Sequence, residues 1–324
     1  MTNMPERCLI IGLGQIGMGY DLSLDPSLFV YSHARAFSLH PSFDLAGAVD
    51  PSEGQRDLFE THYGKPAYDD IKSALEALQP DVVVIAAPTV MHKEIVDKVL
   101  LHSCVNVILC EKPLAYDLAE ARKMVEACQL AGVHLFVNYM RRVDVGVLDV
   151  KRRIDAGVLG DPIKGIVWYS KGFLHNGSHF FNLLEFWLGS FVQAQVLDPG
   201  RLWDNKDPEP DVSVEFERGR IVFLAAWEEA YSHYTIELLS PSGRLRYEQG
   251  GSSITWQPTY AHPTVAGYRV LQPEPEVIAN GMRRNQWHVV DQLANFIARR
   301  NHTLCTGAQA LVTLEAMQQI INQR

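Results

Sequence analysis

An acid, an amine and a rigid ring follow one short apolar run of the chain. Residues 107–109 predict a buried strand, and Glu111, Lys112 and Pro113 come directly after it. Ligands of open α/β sheets bind at the carboxyl ends of the strands. The bond to proline also holds the backbone of Lys112 in an extended or turn conformation. An ammonium so placed predicts polar chemistry at the edge of the sheet where ligands bind, and the alternative is a loop whose lysine is hydrated.

Two imidazoles precede a second apolar run, and an amide lies within it. His175, His179 and Asn182 are spaced i, i+4, i+7, so they share one face if helical geometry already holds at residue 175. An imidazole can exchange protons near neutral pH, and this face therefore predicts one wall of a site. A buried histidine bonded to backbone is the alternative. Two histidines also allow a zinc site, but the chain has no HExxH motif and no CxxC, and we predict no metal.

A GxGxxG spacing follows a predicted strand at residues 7–11. The first glycine allows a tight turn, the second lets the backbone approach a pyrophosphate, and the third lets helix and strand pack closely. Amides that open a helix there face the phosphates of a dinucleotide. A glycine-rich turn without a ligand is the alternative. The predicted phosphate-binding residues are Gly12, Gly14, Gln15, Ile16 and Gly17.

An acid ends the second predicted strand, residues 43–49. A carboxylate at this point binds ribose hydroxyls and repels a 2′-phosphate, so Asp50 favours NAD over NADP. Asp50 stands further from the glycines than the usual ~20 residues. We attribute the excess to an insertion at residues 18–32, before a helix at 33–40. A plain turn at Asp50 and Pro51 is the alternative.

Strand and helix patterns alternate through residues 1–138, with further strands at 81–87 and 133–137. This alternation predicts a Rossmann-type, doubly wound parallel sheet, an α/β fold. Residues 139–324 predict an α+β domain with an open, mainly antiparallel sheet. In that domain we expect a long strand at 163–173 and loops at 198–211 and 257–281.

Composition excludes several classes of protein. The 324 residues carry a net charge of −9 and no basic block, so nucleic acid and anionic membranes are not expected as partners. No apolar run reaches the ~18 residues of a membrane span. The five cysteines form no CxxC, and the amino terminus begins with a strand pattern rather than a signal peptide. We therefore expect a cytoplasmic protein.

The order of these motifs resembles the Gfo/Idh/MocA oxidoreductases, a family named for glucose-fructose oxidoreductase and inositol dehydrogenase. The matching pieces cover nearly the whole chain: GLGQIG at 12–17, AAPT and His92 at 86–92, EKPLA at 111–115, GSH at 177–179 and CTG at 305–307. The resemblance implies an NAD- or NADP-binding domain and a second domain that binds substrate and forms dimers or tetramers through its sheet. It also implies cofactor contacts from Ala87, Pro88, Thr89, His92, Glu111 and Lys112.

The resemblance further implies a dehydrogenase for a secondary alcohol of a sugar, cyclitol or nucleotide-sugar derivative. The nicotinamide takes the hydride and the protein moves the proton, so we expect Lys112 and His179 to converge on the substrate. In the family's dehydrogenases a carboxylate stands where this chain has His175, which we expect to orient or extend the proton relay. Further substrate contacts are predicted for Tyr139, Arg141 and Asn176.

Two other functions remain open from the sequence. A cofactor-binding sensor without catalysis would explain the missing carboxylate at position 175, and a dehydrogenase could act on a non-sugar substrate such as a dihydrodiol. Arg141 and Arg142 could bind a phosphate or carboxylate or lie in solvent or an interface.

Overall fold

The computed structural model describes residues 4–323, which divide into two compact units. The first unit comprises residues 4–143 and 283–312, and the second comprises residues 144–282 and 313–323. The strands are β1 (Glu6–Ile11), β2 (Phe43–Val49), β3 (Ala67–Tyr68), β4 (Val82–Ile85), β5 (Val107–Cys110), β6 (His134–Val137), β7 (Ile163–Tyr169), β8 (Phe191–Trp203), β9 (Asp207–Phe216), β10 (Gly219–Ala225), β11 (Thr235–Ser240), β12 (Gly243–Glu248), β13 (Ser253–Ala261), β14 (Arg269–Leu271), β15 (Glu276–Ile278) and β16 (Cys305–Thr306). The α-helices are α1 (His33–Leu39), α2 (Glu53–Tyr63), α3 (Ile71–Leu78), α4 (His92–Val99), α5 (Leu118–Leu130), α6 (Val145–Asp155), α7 (Ser178–Leu188), α8 (Asn285–Ile297) and α9 (Gly307–Ile321).

A seven-stranded sheet forms the centre of the first unit. Its order is β16-β6-β5-β4-β1-β2-β3, and every pair is parallel except the edge pair of β16 with β6. Strands β4 and β5 are buried along their whole length, as expected for strands covered by helices on both faces. The predicted doubly wound sheet is confirmed.

The carboxyl-terminal part of the first unit lies far along the chain. The division predicted at residue 138 placed residues 283–312 in the second domain, and the structure corrects this. Cys305 and Thr306 pair with Val137 and Phe136 of β6, and buried residues of α8 join the core beneath β1 and β2. Sequence periodicity finds α8 but carries no information on which sheet it covers.

The predicted insertion is a compact loop. The carboxylate of Asp21, 1% exposed, accepts hydrogen bonds from the amides of Tyr31 and Ser32 and from the Ser32 hydroxyl. Ser32 then caps α1, because its Oγ accepts from the amide of Arg35 at 3.4 Å. Helix α1 therefore begins at His33, as predicted, after the 18–32 loop has closed on itself.

A nine-stranded sheet forms the second unit. Its order is β14-β13-β12-β11-β7-β10-β9-β8, with β15 paired to β13, and the pairs are antiparallel except β7 with β10. The predicted open, mainly antiparallel sheet is confirmed. Within residues 4–323, every helix falls short of the length and apolarity that crossing a bilayer requires.

Three element predictions in the second unit are wrong. The predicted loop at 198–211 is a bulged hairpin of β8 and β9, and the predicted loop at 257–281 contains the end of β13 with β14 and β15. Gly200 permits the first hairpin, because at its φ of +65° a Cβ would meet the Glu209 carbonyl oxygen at 1.9 Å. The predicted strand at 163–173 stops at Tyr169, since Lys171 and Gly172 have positive φ and begin a π-helical turn at Gly172–Gly177.

Candidate functional site

The three glycines of the GxGxxG motif meet different surroundings. A Cβ on Gly12, where φ is +101°, would lie 2.7 Å from the Ala86 carbonyl, and one on Gly17 would lie 2.0 Å from the Gly12 oxygen. Gly14 has nothing within 4 Å of its Cβ position and is exposed, as is Gln15. Gly12 and Gly17, which have no room for a side chain, close the turn against the end of β4. Gly14 leaves its backbone accessible. The loop therefore has the form that a pyrophosphate requires.

Asp50 joins this loop from the end of β2. Its Oδ2 accepts a hydrogen bond from the Leu13 amide at 2.7 Å, and its Oδ1 accepts from the Ser52 amide at 2.9 Å. Arg56 donates to the carbonyl oxygens of Asp50 and Pro51. The carboxylate is partly exposed, so its remaining lone pairs can accept from ribose hydroxyls.

His92 joins two loops at the same edge of the sheet. Its ring is fully buried, with Nε2 3.0 Å from the Ala87 oxygen and Nδ1 3.1 Å from the Leu114 oxygen. Burial lowers the pKa of His92, although the carbonyls act in the opposite direction. The neighbouring Pro88 is exposed and Thr89 is partly exposed. His92 thus holds the residue 86–89 loop to the EKPLA loop, and its predicted contact with a cofactor stays a prediction.

Glu111 lies in a polar cluster at the ends of β5 and β6. Its Oε1 accepts from His33 Nε2 at 2.8 Å and from Asn138 Nδ2 at 2.6 Å. Burial raises the pKa of the Glu111 carboxyl, but the hydrogen bond and charge of His33, the Asn138 hydrogen bond and the Lys112 charge outweigh it, so the pKa lies below its usual range. Glu111 is therefore ionised at neutral pH.

The other predicted residues of the first unit surround this edge. Lys112 is half-buried and is followed by a cis peptide bond to Pro113. Tyr139 and Arg141 are buried in the short turn that follows β6. The structure thus gathers at the carboxyl edge of one sheet the glycine loop, Asp50, the 86–89 loop, Glu111 and Lys112.

The second unit carries the predicted histidines on consecutive helical turns. His175 belongs to the π-helical turn and His179 to the first turn of α7. His179 is buried, and so are the apolar side chains of Phe180, Leu183, Leu184 and Trp187 on the same helix. Asn176 donates through Nδ2 to the Ser170 carbonyl at 3.0 Å. Its structural partner is thus backbone, and its predicted contact with substrate stays a prediction.

Two buried carboxylates of β9 hold the π-helical turn. Asp207 accepts from the amides of Leu174 at 3.0 Å and His175 at 2.7 Å, and Glu209 accepts from the Gly172 amide at 3.0 Å. The His175 ring stacks on Trp203 of β8, with centroids 5.0 Å apart and planes at 20°. A carboxylate is therefore present near position 175, but it binds the backbone from a neighbouring hairpin.

Titration of Asp207 is expected to appear in the pH dependence of stability. Burial raises its pKa from 3.8 to about 6. The folded chain then holds this proton more tightly than the unfolded chain, so the contribution is present at low pH and is lost as pH rises through 6. Between about pH 4.5 and about pH 7.5, the free energy of unfolding of wild type relative to Asp207→Asn should fall by about 2 kcal/mol. Urea unfolding of both proteins at both pH values measures this, and a pH-independent difference would contradict it.

Sequence reasoning missed several residues of these clusters. Asn138 follows a predicted strand at the same edge as Glu111. Because ligands bind at the carboxyl ends of strands, the sequence could have identified it as a site residue. His33 and Gln286 begin helices distant in sequence, and Asp207 lay in a predicted loop. No local pattern marks them. Within the described residues, no group of three or more His, Cys, Asp or Glu side chains could hold a metal ion.

Comparison with known proteins supports the same kind of site. Residues 6–139 match the model of a family described as "Oxidoreductase family, NAD-binding Rossmann fold". The chain is 30% identical over 195 residues to scyllo-inositol 2-dehydrogenase (NAD(+)) of Bacillus subtilis, an alignment that covers 59% of this chain and 51% of the relative. It is 27% identical over 162 residues to D-glucoside 3-dehydrogenase of Escherichia coli, covering 50% and 42%. The chain thus spans about half the length of these relatives.

One solved structure extends the likeness in fold to the whole chain. The WlbA dehydrogenase of Bordetella pertussis, solved in complex with NADH and UDP-GlcNAcA, superposes with a TM-score of 0.75. The match covers 98% of this chain and 97% of that one at 17% identity. At this identity the likeness establishes the fold of both units.

Proposed function

Because residues 6–139 match the model of the Gfo/Idh/MocA family of oxidoreductases, we propose that the chain is a nicotinamide-dependent dehydrogenase of that family. It transfers a hydride between the cofactor and a secondary alcohol or ketone of a sugar, cyclitol or sugar derivative. The observation that carries the proposal is the placement of the open Gly14 backbone and the half-buried Lys112 at one edge of a parallel sheet. Loss of turnover in Lys112→Ala, argued in the Discussion, is the experiment that tests it.

The residues present fit a dinucleotide. The glycine-loop backbone would bind the pyrophosphate, and Asp50 would bind the adenosine ribose. Residues 87–89, together with Glu111 and Lys112, would line the other half of the cofactor. When bound, the nicotinamide supplies a carbon that accepts or donates a hydride. The protein's own work is then orientation, exclusion of water and movement of one proton.

Lys112 and His179 perform this proton work in our proposal. Oxidation of an alcohol releases a proton from oxygen, and a positioned imidazole accepts a proton efficiently near neutral pH. The ammonium of Lys112 stabilises the developing charge on that oxygen. His175, stacked on Trp203 and held by Asp207 through its backbone, orients the helical turn that carries His179.

The substrate class rests on the names of relatives. Inositol and glucoside dehydrogenases are among them, and polyols share the secondary alcohol that this chemistry needs. Tyr139, Arg141 and Asn176 are the further residues that we propose to contact the substrate.

We propose NAD rather than NADP as the cofactor, because the Asp50 carboxylate lies beside the glycine loop. A 2′-phosphate would meet this negative charge at close range. Asp50→Asn keeps an oxygen that can accept from the Leu13 amide but removes the charge. We expect the preference for NAD⁺ over NADP⁺, measured as the ratio of dissociation constants, to fall by about tenfold or more. Asp57→Asn removes the same charge from the exposed face of α2 and should leave the ratio unchanged, whereas an unaltered ratio in Asp50→Asn would contradict the proposal.

Assembly and location complete the proposal. The outer surface of the second unit's sheet exposes several apolar side chains, among them Ile166, Leu239 and Val277. We propose that this sheet forms a homodimer or homotetramer, which sedimentation equilibrium tests. All five cysteines are free thiols, which favours a reducing, cytoplasmic setting.

A further inference from the structure

Four polar side chains form a buried cluster beside Lys112, which we call the Glu111 cluster. His33 and Gln286 are fully buried, Asn138 is 3% exposed, and the Glu111 side chain is 12% exposed. Asn138 Nδ2 lies 2.6 Å from Glu111 Oε1 and 3.2 Å from Gln286 Oε1, so it links the carboxylate to α8. His33 links the same carboxylate to α1. Both donors bind Oε1, and the carboxylate is fixed from two helices.

The cluster carries one negative charge. His33 Nε2 donates to Glu111, and His33 Nδ1 has no hydrogen-bond partner within residues 4–323. Asn138 and Gln286 are neutral amides. Glu111 is therefore the one acidic group among the four residues of the cluster.

The groups that face the cluster are few. Lys112 follows Glu111 in the chain and acts on it electrostatically, as does His92 from the start of α4. Burial lowers the pKa of His92 and so favours its neutral form. Lys112, and His33 from within the cluster, both act on Glu111 electrostatically and lower its pKa. Neither residue is altered by a substitution at position 111, so such a variant changes only the carboxylate.

The sheet topology tells which half of a dinucleotide the cluster approaches. Strand order reverses between β1 and β4, and the pyrophosphate of a dinucleotide crosses a sheet at this point. Asp50 ends β2 on one side of the reversal, the side of the adenosine. Glu111 ends β5 on the other side. The cluster therefore belongs to the nicotinamide half.

We propose that the Glu111 cluster selects the redox state of the cofactor, with the fixed carboxylate stabilising the cationic ring of NAD⁺ relative to the neutral ring of NADH. His33 and Asn138 are positioning residues that keep this carboxylate ionised and immobile. The proposal rests on the proposed function, because it needs a nicotinamide cofactor at this edge. Oxidised and reduced rings differ by one positive charge, and a low-dielectric site separates their affinities more than water would. The site is thereby biased towards binding oxidised cofactor and releasing reduced cofactor.

Equilibrium binding to purified full-length protein tests the proposal without a substrate. Dissociation constants are measured for NAD⁺, NADH and ADP-ribose by calorimetry in wild type and Glu111→Gln. We expect the dissociation constant of NAD⁺ to rise about tenfold. Those of NADH and ADP-ribose, which lack the cationic ring, should change less than about twofold. Glu126→Gln removes the same charge from the exposed face of α5 and should alter none of the three.

A pair of variants at His33 examines the positioning role. His33→Gln keeps an N–H donor and should retain the wild-type ratio of NADH to NAD⁺ dissociation constants. His33→Leu removes the donor, favours protonation of Glu111 and should shift the ratio towards that of Glu111→Gln. ADP-ribose binding shows that each variant retains its fold. If Glu111→Gln does not fold, the comparison of His33→Gln with His33→Leu tests the proposal.

Equal weakening of NAD⁺ and NADH binding in Glu111→Gln overturns this inference alone. Failure of wild type to bind any of the three ligands overturns the proposed function and the inference together.

Discussion

Lys112→Ala is expected to lower kcat on a polyol substrate by about 10²–10⁴-fold while leaving NAD⁺ binding nearly unchanged. The lysine lies two residues beyond a fully buried strand and is itself half-buried, so its ammonium acts where water is scarce and charge stabilisation is strong. Removing it deprives the reacting oxygen of its cation but leaves the glycine loop and Asp50 intact. Steady-state kinetics with an inositol and a glucoside, together with calorimetric NAD⁺ binding, measure the two effects separately.

A matched control comes from the same unit. Lys123 is exposed on α5, and Lys123→Ala removes an equal charge and side chain without touching the sheet edge. We expect wild-type kcat for that variant. A Lys112→Ala protein that turns over at the wild-type rate would overturn the proposed chemistry, and a wild type that binds NAD⁺ but oxidises no polyol would favour a sensor.

The features that the sequence predicted correctly are those that local physics determines. A buried strand needs a continuous apolar run, and β4 and β5 show one. A helix start needs an acceptor for its free amides, and Ser32 Oγ accepts from the Arg35 amide at the start of the helix predicted at 33–40. The spacing of the glycines likewise predicted a turn that closes on the sheet.

The features that the sequence did not predict depend on distant partners. Residues 198–211 contain Pro, Asp and Gly at a density typical of loops, yet they pair as β8 and β9 because each strand supplies the other's hydrogen bonds. The Glu111 cluster contains residues up to 253 positions apart, from His33 to Gln286, and no local window contains both His33 and Glu111. The membership of residues 283–312 in the first unit likewise depends on tertiary contacts. Charge environment, and hence the ionised state of Glu111, follows only from that assembly.

Gly14 and Gly17 belong to the same sequence motif, but we expect substitutions at the two positions to have opposite effects. One should lower stability, and the other should lower cofactor affinity. Gly17→Ala places a methyl group 2.0 Å from the Gly12 carbonyl oxygen, a backbone atom that cannot move aside cheaply. Overpacking of this kind costs about 1–3 kcal/mol and occasionally more, so we expect a clear drop in Tm. A Cβ added at Gly14 meets nothing within 4 Å, so we expect Gly14→Val to leave the free energy of unfolding within about 0.5 kcal/mol of wild type.

Cofactor binding separates the two variants further. The valine side chain of Gly14→Val occupies the space through which a pyrophosphate approaches the backbone, so we expect its NAD⁺ dissociation constant to rise by about 100-fold or more. Gly54→Ala, in the open surroundings of α2, should alter neither binding nor fold. Thermal unfolding and calorimetry on the three variants give the pattern. A Gly14→Val protein that is stable and binds NAD⁺ as tightly as wild type would show that the dinucleotide does not cross this loop. In that case the open backbone at Gly14 would be a surface feature, and the assignment of the whole sheet edge to a cofactor would lose its basis.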